Sequence, residues 1–491
     1  MGKWKKKNGG PKIVEVLEGA LHALSTTSAT PEELDKIREL LDGMRASPAL
    51  EFPHADPAWR VPPLAGREPP RPRIATYSQG MNGFGHIRRN ATIAHALRES
   101  GMHPVILMVA EAWQAGAIPL PEGCDCVTLP GLREGPNGAL NARCLDLSDA
   151  ELIALRSRVI HNTLQTFQPD VLLVDHLPLG AGGELRRTLK NIRRDGPTRC
   201  VLGLREVLQD PDTVLRQWSA EGVIDALHEY YDAIWIYGDP LVFDPVREYA
   251  VFKGLESKIR YTGYLDQCPR LAFAGPQAAR PLANVAPAPA QLVLCVVGGG
   301  VDGYALAEAF VAADLPLNTT GLVLTGPYMP AESRRCLLER AQRNPRCDVL
   351  EFLADPVALI QRADRIVAMG GYNTICEVLS FEKHALIVPR VYETEQMIRA
   401  QRLRDLGLID VLHPDKLTPQ ALSEWLARDL GAPPASRSRI DVGGLNRLPG
   451  LLEELLGVSV PARSNGSNGS NGSNGSNGSN GSNGSTPRWL K

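Results

Sequence analysis

Along residues 73–456, short apolar runs alternate with stretches whose apolar positions recur at helical spacing. The first series of runs is Ile74–Ser78, Val105–Val109, Pro169–Asp175, Cys200–Leu204 and Ala233–Tyr237. The second is Gln291–Val297, Gly321–Thr325, Val349–Phe352, Arg365–Met369 and Ala385–Val388. Runs apolar on both faces suit central strands of a parallel sheet covered by helices. Between them, Ile93, Ala94 and Leu97, then Asp149–Phe167, then Tyr304, Ala307 and Phe310 mark amphipathic helices. A short helix at Asp355–Gln361 precedes one starting near Asn373, with Ile375, Val378 and Leu379 inward. Helices at Glu393–Leu406, closed by Gly407, at Pro419–Leu430 and at Gly444–Leu456 complete the pattern. Alternating β and α elements with right-handed crossovers predict an α/β fold. It has two Rossmann-like domains, residues 73–265 and 291–460, facing a cleft.

The flanks read differently. Ile13, Val14, Val16, Leu17, Leu21 and Leu24 form a helical stripe, and Thr30-Pro-Glu-Glu33 opens a second helix as a capping box, with Gly43 past its end. Residues 1–46 are therefore expected to be a helical hairpin. Residues 47–72 are proline-rich and read as an extended linker, and 266–290, rich in Pro and Ala, as the interdomain linker. From 461 to 491 the chain is mostly a Ser-Asn-Gly repeat, which has nothing to bury and is expected to be a disordered tether.

A length of 491 residues implies at least two domains, and 43% hydrophobic residues supply their cores. A net charge of -2 gives no field for nucleic acid. No apolar run is long enough to span a bilayer, and the start Met-Gly-Lys-Trp-Lys-Lys-Lys lacks the apolar segment of a leader, so a cytoplasmic protein is expected. Lys3, Lys5, Lys6 and Lys7 around Trp4 could touch an anionic membrane, a peripheral contact, or simply be a solvated terminus. Nine dispersed cysteines read as reduced thiols, and Cys124-Asp-Cys126 is too tight for a zinc site.

Glycines mark the candidate chemistry. In Arg365-Ile-Val-Ala-Met-Gly-Gly-Tyr-Asn-Thr-Ile-Cys-Glu377, Gly370 and Gly371 end a strand just before a helix, where bare backbone and free N–H groups favour a phosphate. Glu377, one turn in, could accept hydrogen bonds from ribose hydroxyls. An ordinary strand-to-helix turn is the structural alternative. Gly80, Gly83 and Gly85 follow the first strand without the dinucleotide spacing G-x-G-x-x-G. His86 is the candidate general base, or else a helix-start histidine that packs. Arg88 and Arg89 could hold phosphate charge or pair on the surface. Arg205 follows another strand end. Asp210-Pro-Asp212 reads as a turn, and no metal dependence is expected.

Four pieces together resemble a family: Gly83-Phe-Gly-His-Ile-Arg-Arg89, Gly298-Gly-Gly300, Met369–Glu377 and Val388-Pro-Arg-Val-Tyr-Glu-Thr-Glu-Gln396. In this order, from Arg73 to about Leu456, the chain resembles the predicted glycosyltransferases related to family 28. These belong to the GT-B group, which includes the peptidoglycan lipid-linked N-acetylglucosaminyltransferase. The resemblance implies a UDP-sugar as donor substrate in the C-terminal domain and no other cofactor. Gly298, Gly299, Gly370, Gly371, Asn373, Thr374 and Glu377 would line the donor site, with Glu395 and Gln396 facing the sugar. The N-terminal domain would hold an acceptor hydroxyl of unknown identity near Gly83, Gly85, His86, Arg88 and Arg205. It implies inverting, metal-independent transfer of a hexose or N-acetylhexosamine. A nucleotide-sugar epimerase or hydrolase of the same architecture is the alternative, and a non-enzymatic binding protein a third.

Overall fold

The computed structural model describes residues 71–80, 85–111, 118–134, 140–273, 291–353 and 355–458. The expected hairpin, the basic N-terminus, almost all of the proline-rich stretch, Gly83, most of the interdomain linker and the Ser-Asn-Gly tail lie outside them. Among the described residues no helix is long and apolar enough to cross a membrane.

The first lobe is built on seven strands: β1 (Arg73–Ser78), β2 (Val105–Ala110), β3 (Cys124–Thr128), then, after a small antiparallel pair β4 (Leu132–Glu134) and β5 (Leu140–Ala142), β6 (Val171–Asp175), β7 (Arg199–Arg205), β8 (Ala233–Tyr237) and β9 (Ile259–Tyr261). The main sheet runs β3-β2-β1-β6-β7-β8-β9, and its ladders are parallel. Its helices are α1 (Gly85–Arg98), α2 (Asp149–Phe167), α3 (Arg186–Asp195), α4 (Pro211–Ala220) and α5 (Val223–Tyr230). β6 and β8 are buried along their whole length, as their all-apolar runs require. Helix α2 starts where a capping box forms, with Ser148 and Glu151 exchanging side-chain-to-backbone bonds.

The second lobe holds β10 (Gln291–Val296), β11 (Thr319–Leu324), β12 (Cys347–Leu350), β13 (Arg365–Ala368), β14 (His384–Ile387) and β15 (Asp410–Val411), in the order β12-β11-β10-β13-β14-β15 and parallel throughout. Around them lie α6 (Tyr304–Val311), α7 (Ala331–Ala341), α8 (Val357–Arg362), α9 (Tyr372–Ser380), α10 (Thr394–Asp405), α11 (Pro419–Ala427) and α12 (Gly444–Leu456). In each lobe the strand order reverses once, between β1 and β6 and between β10 and β13. Open parallel sheets bind ligands at that switch point, beyond the carboxyl ends of the strands.

Three readings need amendment. Asp210-Pro-Asp212 is not a bare turn: Asp210 caps α4 through the Thr213 N–H, with proline in the first turn. Residues 266–273, read as the start of a linker, are packed, and Arg270 is 1% exposed. Helix α12, assigned with the second domain, lies against α1 of the first. Its Leu445, Leu448 and Leu452 join an apolar core that includes Leu97 on one side and Ile375 on the other. The chain makes this return at Asp441–Gly444, where the Tyr264 N–H donates to the Asp441 carbonyl and the Gly444 N–H donates to the Tyr264 carbonyl. The two lobes accordingly form one compact unit.

Candidate active site

Between the lobes lies a cleft of about 710 Å³, into which both switch points open. On the second lobe, Gly298 and Gly299 follow β10, and Gly370 and Gly371 follow β13. Gly370 takes φ +84°, and a Cβ there would meet Ile387 Cγ2 at 2.7 Å, so the turn demands glycine. Gly371 is different. A Cβ there would touch nothing within 4 Å, so its lack of a side chain leaves open space at the mouth of α9. No side chain caps that helix, and the first-turn N–H groups of Tyr372, Asn373 and Thr374 have no partner within it. A helix start of this kind is a site for a phosphate.

Glu377, one turn deeper, lines the same cleft and is 2% exposed. Its Oε1 accepts from Arg270 Nη1 at 2.6 Å. Arg270 also donates to Gln267 Oε1 at 2.8 Å and grips Asp355. The carboxylate is thereby fixed by a residue from the segment that leaves the first lobe. Arg88 lines the cleft within electrostatic reach of this group; burial, and then Arg270, lower its pKa.

Across the cleft, Asp175 ends β6 at the first switch point, and α1 brings His86 and Arg89, three residues apart on one helical face, over it. His86 Nδ1 lies 2.6 Å from Asp175 Oδ2. Arg89 Nη2 reaches both carboxylate oxygens at 2.7 Å. Burial would push Asp175 up, but Arg89 and His86 more than offset it and hold its pKa below the ordinary value. For His86 burial is the largest influence and lowers its pKa, against the upward pull of Asp175. The imidazole is then neutral near pH 7. Arg89 Nη2 also lies 2.9 Å from Nδ1, and in the tautomer that donates Nδ1–H to Asp175, Nε2 keeps its lone pair, the geometry of an oriented base.

A second imidazole stands beside the first. His176 follows Asp175 at φ +67°, a costly conformation for a non-glycine residue, and its ring centroid is 5.6 Å from that of His86. Arg205 Nη2 is 2.9 Å from His176 Nε2, which makes Nε2 the acceptor. Burial, then Arg205, push the His176 pKa well below the usual histidine range. Arg205 also spans the cleft to Glu395 Oε1 at 2.7 Å. Further cross-lobe bonds run from Asn373 Nδ2 to the Gly85 carbonyl, 2.8 Å, and from Tyr372 Oη to the Tyr237 carbonyl, 2.9 Å. Arg399, fully buried, reaches Glu206 at 2.6 Å.

Of the residues singled out from sequence, His86, Gly85, Arg88, Arg205, Gly298, Gly299, Gly370, Gly371, Asn373, Thr374, Glu377, Glu395 and Gln396 all line this one cleft. Two are less available than expected. Glu395 already binds Arg205, and Gln396 accepts from the Arg390 N–H and donates to Glu393. Glu395 Oε2 is buried without a hydrogen-bond partner, 3.9 Å from Arg399 Nη2. Sequence reasoning missed Asp175 as a partner of His86, and Arg270 and Asp355 as the support of Glu377. A carboxylate closing an otherwise apolar strand was the signal for Asp175. Among the described residues no group of three or more His, Cys, Asp and Glu is placed to hold a metal ion.

Residues 293–440 match the Glycosyltransferase family 28 C-terminal domain. Over 119 residues the chain is 32% identical to the UDP-N-acetylglucosamine--N-acetylmuramyl-(pentapeptide) pyrophosphoryl-undecaprenol N-acetylglucosamine transferase of Hydrogenovibrio crunogenus, 23% of this chain and 33% of that one. The match thus spans about a third of that relative's length. Among solved structures, the calicheamicin glycosyltransferase CalG4 aligns with a TM-score of 0.51 at 17% identity, over 80% of this chain and 100% of that one. The UDP-GlcNAc 2-epimerase from Neisseria meningitidis, bound to UDP-GlcNAc, aligns at 0.51 and 11% identity, over 78% and 99%. At such identities the likeness speaks for the fold alone. The second lobe thus carries a segment similar to the family 28 C-terminal domain, and the paired parallel sheets around one cleft share their fold with solved glycosyltransferases.

Proposed function

We propose that this protein is an inverting, metal-independent glycosyltransferase that moves an N-acetylhexosamine or hexose from a UDP-sugar to an acceptor hydroxyl. One observation carries the reading. The uncapped helix mouth at Gly371, the buried Glu377 and the Asp175-backed imidazole of His86 all line a single cleft. In this scheme the diphosphate lies at the start of α9, and Glu377 accepts from the ribose hydroxyls. His86 Nε2 takes the proton of the acceptor hydroxyl as its oxygen bonds to C1 of the sugar. The C1–O bond to the β-phosphate breaks from the opposite face, and its electron pair leaves with UDP. Attack from one face and departure from the other invert C1. The charge gained by UDP is met by the helix N–H groups, with Arg88 nearby, a role that elsewhere falls to a metal. The same reading has the enzyme working in the cytoplasm, with the basic N-terminus against a membrane.

The test is calorimetric and kinetic. UDP and UDP-GlcNAc are expected to raise the melting temperature, and Glu377→Gln to weaken UDP binding about tenfold or more, as the loss of a hydrogen bond to a charged group implies. Absence of any shift with UDP would refute the donor assignment. A second reading, epimerisation or hydrolysis of the UDP-sugar, draws on the two imidazoles and the buried carboxyl of Glu395 in one cleft, enough groups to remove and return a proton. Turnover of UDP-GlcNAc without an acceptor decides between them.

A further inference from the structure

The relative named above acts, by its name, on a pyrophosphoryl-linked acceptor. The wall of this cleft on the acceptor side has a different chemistry. Helix α4, the loop before it and the turn after β6 bring six residues to the cleft or its rim: Leu208, Gln209, Val214, Gln217 and Trp218 from the first two, and Leu177 from the last. On α4, Val214, Gln217 and Trp218 lie at i, i+3 and i+4, one face of one helix. Trp218 is half-buried and backed edge-to-face by Phe252, with ring centroids 5.9 Å apart. Val214 and Leu208 are buried. Four of the six are apolar, the other two are neutral amides, and none carries a charge.

The neighbouring cations are committed elsewhere. Arg89 is held by Asp175, and Arg205 by Glu395 with His176. Arg88 lies within electrostatic reach of Arg270, Glu377 and Asp355 on the donor side. An acceptor diphosphate in this part of the cleft would lie against leucine, valine and tryptophan. Stripping a doubly charged group of water there without a paired cation is expensive. A flat apolar ring gains instead, both from area and from stacking on the indole.

Resting on the transferase reading above, we infer that the acceptor is an uncharged, ring-bearing alcohol or phenol. Its apolar ring lies on Trp218, Val214 and Leu208, Gln209 and Gln217 bind its polar edge, and its hydroxyl is directed at His86. The bonds made and broken are those of the scheme above: the acceptor oxygen gains C1, its proton goes to His86 Nε2, and UDP leaves.

The experiment uses the full-length chain with 2-naphthol as a neutral probe. The competing acceptor is undecaprenyl pyrophosphate carrying N-acetylmuramyl pentapeptide. 2-Naphthol binding is followed by quenching of tryptophan fluorescence and, with UDP-GlcNAc present, by transfer. Binding of 2-naphthol is expected with or without donor, as is a higher kcat/KM for it than for the pyrophosphoryl acceptor. Trp218→Ala should raise the dissociation constant and KM for 2-naphthol about tenfold. Trp218→Phe should recover most of that loss, and the melting shift given by UDP should be unchanged in both variants. Failure of 2-naphthol to bind, equal binding to Trp218→Ala, or preference for the pyrophosphoryl acceptor would each overturn the inference. Loss of the UDP shift in the wild type would instead refute the donor assignment, and the fluorescence measurement would still report on Trp218.

Discussion

Replacing Asp175 by Asn keeps the shape of the carboxylate and removes its charge, which isolates what that charge does for His86. The two groups are 2.6 Å apart, and Asp175 is 1% exposed. Unit charges about 4 Å apart attract by about 4 kcal/mol at an effective dielectric constant of about 20. Arg89 sits against the same carboxylate and cancels part of that attraction. We take about half, about 2 kcal/mol, as the stabilisation of the imidazolium that forms when His86 accepts a proton. That is about 30-fold in rate. The amide also offers an N–H to Nδ1, which favours the tautomer with its proton on Nε2, the wrong nitrogen for a base. Loss of a positioned general base costs about 10²- to 10⁴-fold, so kcat should fall about 10³-fold or more while donor KM stays within about threefold.

The pH profile carries the sign. His86 has its pKa below the ordinary 6.5, so the base is present above that pKa and activity falls as pH drops through it. Asp175 raises that pKa, so in Asp175→Asn the acid limb of the residual activity should move to lower pH. The variant also leaves a buried guanidinium, Arg89, without its anion, a loss of about 3–5 kcal/mol in stability, so rates belong well below its melting temperature. Initial rates from pH 5 to 9 with UDP-GlcNAc and a working acceptor are the assay. A kcat within threefold of wild type with an unmoved acid limb would refute the role given to Asp175.

Other outcomes are open to test. Gly371→Ala should leave the melting temperature unchanged and raise the donor KM, because its methyl group enters the open space at the helix mouth. Gly370→Ala should destabilise the fold by about 1–2 kcal/mol or more, since it meets both a positive φ and Ile387. His176 is neutral when folded and protonates near 6.5 when unfolded, so the unfolded chain binds more protons below 6.5 and stability falls there. His176→Asn, a residue that tolerates positive φ, should flatten the decline in melting temperature between pH 6.5 and 5. Turnover should survive excess EDTA; a rate restored only by added divalent ions would overturn the metal-independent scheme.

The strands and most of the residues that line the cleft were legible because both follow from local rules. Apolar runs forecast β1, β6, β8, β10 and β13, and glycines after strands forecast where the cleft would open. What local rules cannot supply is pairing at long range. Asp175 is 89 residues from His86, and Arg270 is 107 from Glu377, so neither partnership has a spacing to read. Strand β3 was hidden for another reason: Cys-Asp-Cys-Val-Thr is only half-buried at a sheet edge and lacks the apolar run of a central strand. The expectation that Glu395 and Gln396 lie open to a sugar also came from one side of the cleft only. Arg205 arrives from the other lobe to occupy one of them.

Helix α12 has a practical consequence for anyone exchanging second lobes between proteins of this fold. It follows the family-matched segment in the chain, yet it rests on α1, the helix that carries His86. A chimera joined beyond residue 458 would import a foreign closing helix against the host's α1 and strand Leu445, Leu448 and Leu452 on a mismatched surface. Splicing back to the host sequence near Asp441–Gly444, where the chain crosses over, keeps each helix with the partner it evolved to cover.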